Sequence, residues 1–223
     1  MVNVQPGLRS STFYRKLPLQ HSIDTALFDL GGVLIDWNPR YLYRSHFRED
    51  ETAMEHFLEH VCAGAWNHEI DAGKPFADAV AERQRLFPDH AELIALWQSG
   101  WETMLGDAIA ETVAILRELR ARGLRLYALT NWSYETFPVA RRRFDFINWF
   151  EDIVISGEVK LAKPDPLIFE LARTRCRLAP ASTVYIDDAP RNVEAARSLG
   201  FHALHFQNAA RLRTELATLN LVR

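Results

Sequence analysis

Regular hydrophobic patterning begins at Thr25, where Thr25-Ala-Leu-Phe-Asp-Leu30 forms a short apolar run stopped by Gly31-Gly32. A run of that length bounded by turn residues predicts a buried strand. Leu124 to Leu129, Ile153 to Ile155, Thr183 to Ile186 and His202 to Phe206 repeat the pattern and predict four more strands, each rich in apolar or β-branched residues. Helical periodicity fills the gaps. Ile109 to Arg122 sets Val113, Leu116 and Leu119 on one side and stops at Gly123, as a helix ending in a C′ glycine does. Asp165-Pro166 starts a second such helix, with Ile168, Phe169 and Ala172 inward, and Pro190 to Leu199 a third, ending at Gly200. Alternating strand and helix predicts an α/β fold, a Rossmann-like parallel sheet covered on both faces.

One stretch departs from the alternation. From Trp37 to Glu111 the signals are helical and no strand is expected. Asn38-Pro39 opens one helix, and Asp50 caps a second with Met54, Phe57, Leu58 and Val61 on its apolar side. Phe76 to Phe87 gives a third, and Asp89 with Glu92 opens a fourth. Trp66, Asn67, Glu69 and Asp71 fall in a segment expected to be irregular. The expected organisation is a loose extension over residues 1–20, an α/β core over 21–36 plus 112–223, and a helical cap over 37–111 above the carboxyl ends of the strands.

Charge narrows the function classes. Lys and Arg total 26 against 29 Asp and Glu, a net charge of −3, so no basic excess exists to neutralise a nucleic-acid backbone. No continuous apolar stretch in residues 1–20 predicts a membrane span or signal peptide. Cys62 and Cys176 stand far apart without a CxxC pair, which predicts reduced thiols and a cytoplasmic protein.

Ligands of open α/β sheets bind outside the carboxyl ends of the strands. Those ends carry Asp29, Thr130-Asn131, Lys163-Pro-Asp-Pro166 and Asp187-Asp188. Three carboxylates meeting at one rim repel unless a cation joins them, and oxygen ligands suit Mg²⁺. A lysine beside such a site suits phosphate, and an aspartate there can attack phosphorus to form an aspartyl-phosphate.

Asp29-Leu-Gly-Gly-Val-Leu34, Leu129-Thr-Asn131, Lys163-Pro-Asp-Pro166, and Asp187-Asp188 with Asn192 resemble, in order and spacing, the four motifs of the haloacid dehalogenase superfamily. The resemblance spans Ala26 to about Phe206. It is nearest to capped sugar phosphatases such as glucose-1-phosphatases and to the phosphatase-like N-terminal domains of epoxide hydrolases. It implies that Asp29 is the nucleophile, Thr130 and Asn131 hydrogen-bond the phosphate, and Lys163 anchors its charge. It implies a Mg²⁺ site of Asp29, the Gly31 carbonyl, Asp187, Asp188 and Asn192, with Asp188 the direct ligand. The implied substrate is a small phosphate ester. Trp66 and Asn67, with Glu69 and Asp71, are expected to face it, an aromatic platform with polar neighbours suiting a sugar, while Trp97 and Trp101 are expected in the cap core.

One position departs from the superfamily pattern: Gly31 replaces the aspartate that ordinarily serves phosphatases as acid and base, a contribution of about 10²- to 10⁴-fold. A phosphatase can then recruit its acid from the cap or from water, or prefer substrates with good leaving groups, and two other readings stay open. One is a metal-independent 2-haloacid dehalogenase, with the row Arg40, Arg44 and Arg48 as its anion site. The other is a phosphoester-binding protein without turnover. Dehalogenases usually carry Tyr at the position of Gly31 and neutral residues in place of the paired acids, whereas Asp187-Asp188 is intact. The His56/His60 pair does not form HExxH and is expected on the surface, as is Arg141-Arg142-Arg143.

Overall fold

The computed structural model describes residues 22–223; the extension expected over residues 1–20 lies outside them. Strand β1 (Thr25–Phe28) leads through a Gly-Gly turn into β2 (Ile35–Trp37). Six helices follow: α1 (Arg40–His46), α2 (Glu51–His56), α3 (Gly64–Asp71), α4 (Phe76–Leu86), α5 (Ala91–Ser99) and α6 (Trp101–Met104). Strand β3 (Leu105–Ala108) returns the chain to α7 (Ala110–Ala121), β4 (Arg125–Thr130), α8 (Phe137–Arg143), β5 (Asp152–Ile155) and α9 (Ser156–Val159). The remainder is α10 (Pro166–Arg175), β6 (Thr183–Asp187), α11 (Pro190–Ser198), β7 (His202–His205) and α12 (Ala209–Thr218).

Five strands form one parallel sheet in the order β5-β4-β1-β6-β7, with Phe28 in register with Ala128 on one side and Ile186 on the other. Alternation along each strand divides the core in two, as the pleat requires. Leu27, Tyr127, Leu129 and Tyr185 pack with Ile168, Phe169 and Ala172 of α10 and Val193 and Ala196 of α11. Ala26, Phe28, Leu126 and Ile186 belong to the opposite cluster, with Val113, Leu116 and Leu119 of α7 and Leu212 and Leu216 of α12. That cluster continues without a break into Trp97, Ile94 and Phe57 of the helical segment.

Helix starts follow the sequence signals in most places. The Asn38 side-chain Oδ1 accepts from Arg40 N, the Asp50 carboxylate from Ala53 N, and the Asp165 carboxylate from Leu167 N beside Pro166. Asp89 does not cap α5: residues Pro88–His90 form a 3-10 turn, and His90 precedes the helix without a side-chain cap. The expectation of no strand between Trp37 and Glu111 also fails, because β2 and β3 pair antiparallel and carry the six helices between them. Leu-Gly-Asp-Ala of β3 hides the strand, since Gly and Asp are depleted in sheets. Gly106 belongs there for a steric reason: a Cβ would sit 2.7 Å from Asp36 Oδ2. The segment around Trp66 is helical, not irregular, and forms α3.

The helical segment is tied to the sheet by polar contacts. Glu135, after β4, accepts from Phe76 N at 2.8 Å and so satisfies the first turn of α4. Ser156, at the end of β5, donates to the carbonyl of Asp71 at 2.5 Å and accepts from Trp132 N at 2.9 Å. Gly73, at φ +101°, approaches so closely that a Cβ would lie 2.9 Å from the Gly157 carbonyl.

Candidate active site

The carboxyl ends of β1, β4 and β6 bring Asp29, Thr130 and Asp187 to one edge of the sheet, and the loop before α10 adds Lys163. Lys163 is fully buried. Its ammonium donates to the Leu129 carbonyl at 2.9 Å and Asp187 Oδ2 at 2.7 Å, and pairs with Asp29 Oδ2 at 2.9 Å. Those three oxygens account for its three N–H donors. The expected charge anchor is thus held between Asp29 and Asp187 at the sheet edge.

The backbone of Lys163 is held in turn by Asn131. The Asn131 amide donates to the Lys163 carbonyl at 2.9 Å and accepts from Lys163 N at 2.8 Å. Asn131 thus braces the Lys163 backbone, and its amide keeps a second N–H donor. Thr130 differs: its hydroxyl is buried and has no hydrogen-bond partner. An orphaned buried donor at a strand end is a place for a ligand oxygen.

Asp187 is saturated. Oδ1 accepts from Ala189 N at 2.8 Å and Asn192 Nδ2 at 3.0 Å, while Oδ2 accepts from Lys163 and from the Tyr185 hydroxyl. Tyr185 stands two residues back on the same face of β6, a relation visible in the sequence once β6 is placed. Asn192 thus braces Asp187 through Nδ2, the supporting place expected of it, while its buried Oδ1 has no hydrogen-bond partner. Asp188, the next residue, is exposed. One carboxylate oxygen each from Asp29, Asp187 and Asp188 lie within 4.8 Å of one another. Asp188 rests against Gly32, whose φ is +74° and where a Cβ would fall 2.3 Å from Asp188 Oδ2. Only a residue without a side chain admits the carboxylate there.

Electrostatics record the crowding. Burial, reinforced by Asp187 and Asp188 and opposed by Lys163, pushes the Asp29 carboxyl up to about 7. Partial desolvation against the cavity wall and the neighbouring Asp187 likewise raise Asp188, although its side chain reaches solvent. Asp187 moves the other way: burial opposes its charge, but Lys163 and the hydrogen bonds to its oxygens hold it below the usual carboxylate range. Lys163 stays charged because Asp187 and Asp29 outweigh its own burial. Asp71 is pushed up to about 8, first by burial and then by Asp29.

A cavity of about 210 Å³ opens over this cluster, lined by Asp29, Gly31, Gly32, Asn131 and Asp188 from the sheet side and by Trp37, Asn67, Asp71, Trp101 and Trp132. A family model described as haloacid dehalogenase-like hydrolase matches residues 23–200, which contain every one of these residues. The chain belongs to that family. This haloacid dehalogenase-like hydrolase is 29% identical to hexitol phosphatase A of Escherichia coli over 198 residues, 80% of each chain. It is 25% identical to the sesquiterpene phosphatase astK of Aspergillus oryzae, over 87% of this chain and 95% of that one. Among solved structures, a HAD family enzyme of Bacteroides thetaiotaomicron in complex with magnesium and inorganic phosphate shares the fold at a TM-score of 0.63 and 24% identity, covering 83% of this chain and 95% of that one.

The cavity sorts the residues expected from the helical segment. Trp66 is not on its wall. The indole is buried, donates to the Ala79 carbonyl at 3.2 Å and packs on Trp97 at 5.3 Å, so it belongs to the core of the segment, a correction to its expected substrate contact. Trp101 exchanges roles with it: expected as core, it lines the cavity 5.8 Å from Trp132. Asn67 does line the cavity, with its amide engaged by Asp71 at 2.9 Å and the Trp97 indole N–H at 3.2 Å. The arginine row lies elsewhere, with Arg40 paired to Glu55 and Arg44 to Glu51. His56 and His60 stack on the exposed surface, Arg141, Arg142 and Arg143 are exposed, and both cysteines are buried free thiols. Among the described residues, no helix is long and apolar enough to cross a membrane.

Proposed function

We propose that this hydrolase is a Mg²⁺-dependent phosphatase of small phosphorylated metabolites, working through an aspartyl-phosphate on Asp29. The observation that carries the reading is the placement of Asp29, Asp187 and Asp188 within 4.8 Å of one another against a single buried ammonium, Lys163. Three carboxylates and one lysine leave an excess of negative charge that a phosphate would enlarge, and a divalent cation removes that conflict. The donor set fits Mg²⁺: all oxygen, with Asp29 and Asp188 keeping free lone pairs while Asp187 is occupied by four donors. Asp29, Asp188 and the Gly31 carbonyl would hold the ion, with Asp187 and Asn192 fixing the geometry from behind. Bound there, Mg²⁺ supplies charge neutralisation to the nucleophile and the phosphoryl group.

The residues divide the remaining work. Asp29 attacks phosphorus, oriented by Leu30 N at 2.7 Å on Oδ1 and by Lys163 on Oδ2. Thr130 offers its unpartnered hydroxyl to a phosphoryl oxygen. Trp37, Trp101 and Trp132 give the cavity an apolar wall, and aromatic faces beside a few polar groups suit a sugar ring. The likeness to hexitol phosphatase A and to the phosphorylated carbohydrates phosphatase of Thermotoga maritima supports a sugar phosphate. The helical segment α1–α6 then acts as the cap that selects it, in a cytoplasmic enzyme whose two thiols remain reduced.

The test is phosphate release from a panel of phosphomonoesters, sugar phosphates included, with Mg²⁺ and with EDTA. Release that requires Mg²⁺ is expected. Binding of the esters without release from any of them overturns the reading.

A further inference from the structure

Gly31 leaves this hydrolase without an acid at the position that follows its nucleophile by two residues. The space is open as well: a Cβ built on Gly31 would meet nothing within 4 Å. Some other group has to protonate the leaving oxygen, and the cavity restricts the choice. Of the described residues lining it, three are carboxylic acids: Asp29, Asp188 and Asp71. Asp29 is the proposed nucleophile and Asp188 the proposed ion holder, which leaves Asp71.

We propose that Asp71, presented from the C-terminal end of α3, is the general acid and base of this enzyme, taking the role that Gly31 vacates. The assignment rests on the phosphatase reading above and completes it. Its geometry is that of a built site. The Asp71 carbonyl is fastened to Ser156 Oγ at 2.5 Å, and Ser156 also holds Trp132 N, so the end of α3 is locked to the ends of β4 and β5. Gly73, two residues on, packs directly on Gly157. Asp71 Oδ2 accepts from Asn67 Nδ2 at 2.9 Å, and Asn67 is itself steadied by the Trp97 indole at 3.2 Å. One carboxyl oxygen is thereby fixed, and Asp71 lines the same cavity as Asp29. Burial raises the carboxyl toward neutral pH, favouring the protonated form an acid needs.

The proton balance closes over two steps. In the first, an Asp29 oxygen bonds to phosphorus, the ester P–O bond breaks, and the leaving oxygen takes the Asp71 proton. In the second, water attacks the aspartyl-phosphate, its proton passes to the Asp71 carboxylate, and the acyl P–O bond breaks to free phosphate and Asp29.

The experiment compares wild type, Asp71→Asn and Gly31→Asp/Asp71→Asn with Mg²⁺ present, on two probes. One is an alkyl ester, glycerol phosphate, or the best sugar phosphate of the panel. The other is dinitrophenyl phosphate, whose leaving group needs no proton. The readout is the single-turnover rate of leaving-group release. Asp71→Asn is expected to lose about 10²- to 10⁴-fold on the alkyl ester and less than a tenth of that factor on the dinitrophenyl ester. The double variant, which restores a carboxyl in the open space at position 31, regains part of the loss. Equal losses on both probes, or no loss on either, overturn the assignment to Asp71. If wild type releases phosphate from neither probe nor from any ester of the panel, the phosphatase reading fails and the assignment falls with it.

Discussion

Lys163 Nζ lies 2.7 Å from Asp187 Oδ2, and both side chains are wholly buried. Neither charge is stable there alone, and each makes the other tolerable: the ammonium holds Asp187 ionised, and the carboxylates of Asp187 and Asp29 keep the ammonium protonated. Removing one partner of such a pair strands the other and costs about 3–5 kcal/mol. Lys163→Met should therefore lower the free energy of unfolding in urea by that much, with a lower midpoint, as well as end turnover. An unfolding midpoint equal to wild type would show that Asp187 has another counter-charge.

Much of this arrangement is legible before any coordinates. Apolar runs ending in Asp29, Thr130 and Asp187-Asp188 mark strand ends, and Pro166 and Gly123 mark a helix start and stop, because those signals are local and strong. Partners across the fold are not legible. Nothing in Asn131 announces that both atoms of its amide close on the Lys163 backbone. Nor does the spacing of Trp66, Trp97 and Trp101 say which indole faces the cavity, since all three are largely buried. The β2–β3 pair was hidden by a glycine needed for a close approach to Asp36.

The exchange of roles between the tryptophans gives a second expectation. Trp66→Ala opens a void in the helical segment and should cost about 3–5 kcal/mol, while relative rates across a panel of phosphate esters stay in order. Trp101→Leu should reorder them, because Trp101 lines the cavity. Thermal unfolding and initial rates on the two variants check both halves; a reordered panel with Trp66→Ala would return that residue to the substrate site.

Gly32 sets the place of Asp188. Gly32→Ala puts a methyl group 2.3 Å from Asp188 Oδ2 and asks for φ +74°, a conformation costing an L residue about 1–2 kcal/mol. The expected result is a higher Mg²⁺ concentration for half-maximal activity, together with a modest loss of stability. An unchanged Mg²⁺ dependence would separate Asp188 from the ion.

Asp71 links stability to pH. Its carboxyl titrates at about 8 in the fold against 3.8 for the ordinary group, so between those values the unfolded chain has released a proton that the fold retains. Stability contributed at this position therefore falls as pH rises from about 4 to about 8. Asp71→Asn removes the titration. Measured in EDTA, the variant's unfolding temperature relative to wild type should climb from acidic pH to pH about 8; a constant difference would place Asp71 in an ordinary aqueous environment.

The covalent role of Asp29 is tested most directly by mass spectrometry of enzyme mixed with Mg²⁺ and a phosphate ester and quenched in acid. The predicted result is a phosphoryl adduct on the peptide carrying Asp29 in wild type, with neither adduct nor phosphate release in Asp29→Asn. Sustained phosphate release by the Asn variant would contradict it, as would chloride release from 2-chloropropionate by EDTA-treated wild type that hydrolyses no phosphate ester when Mg²⁺ is restored.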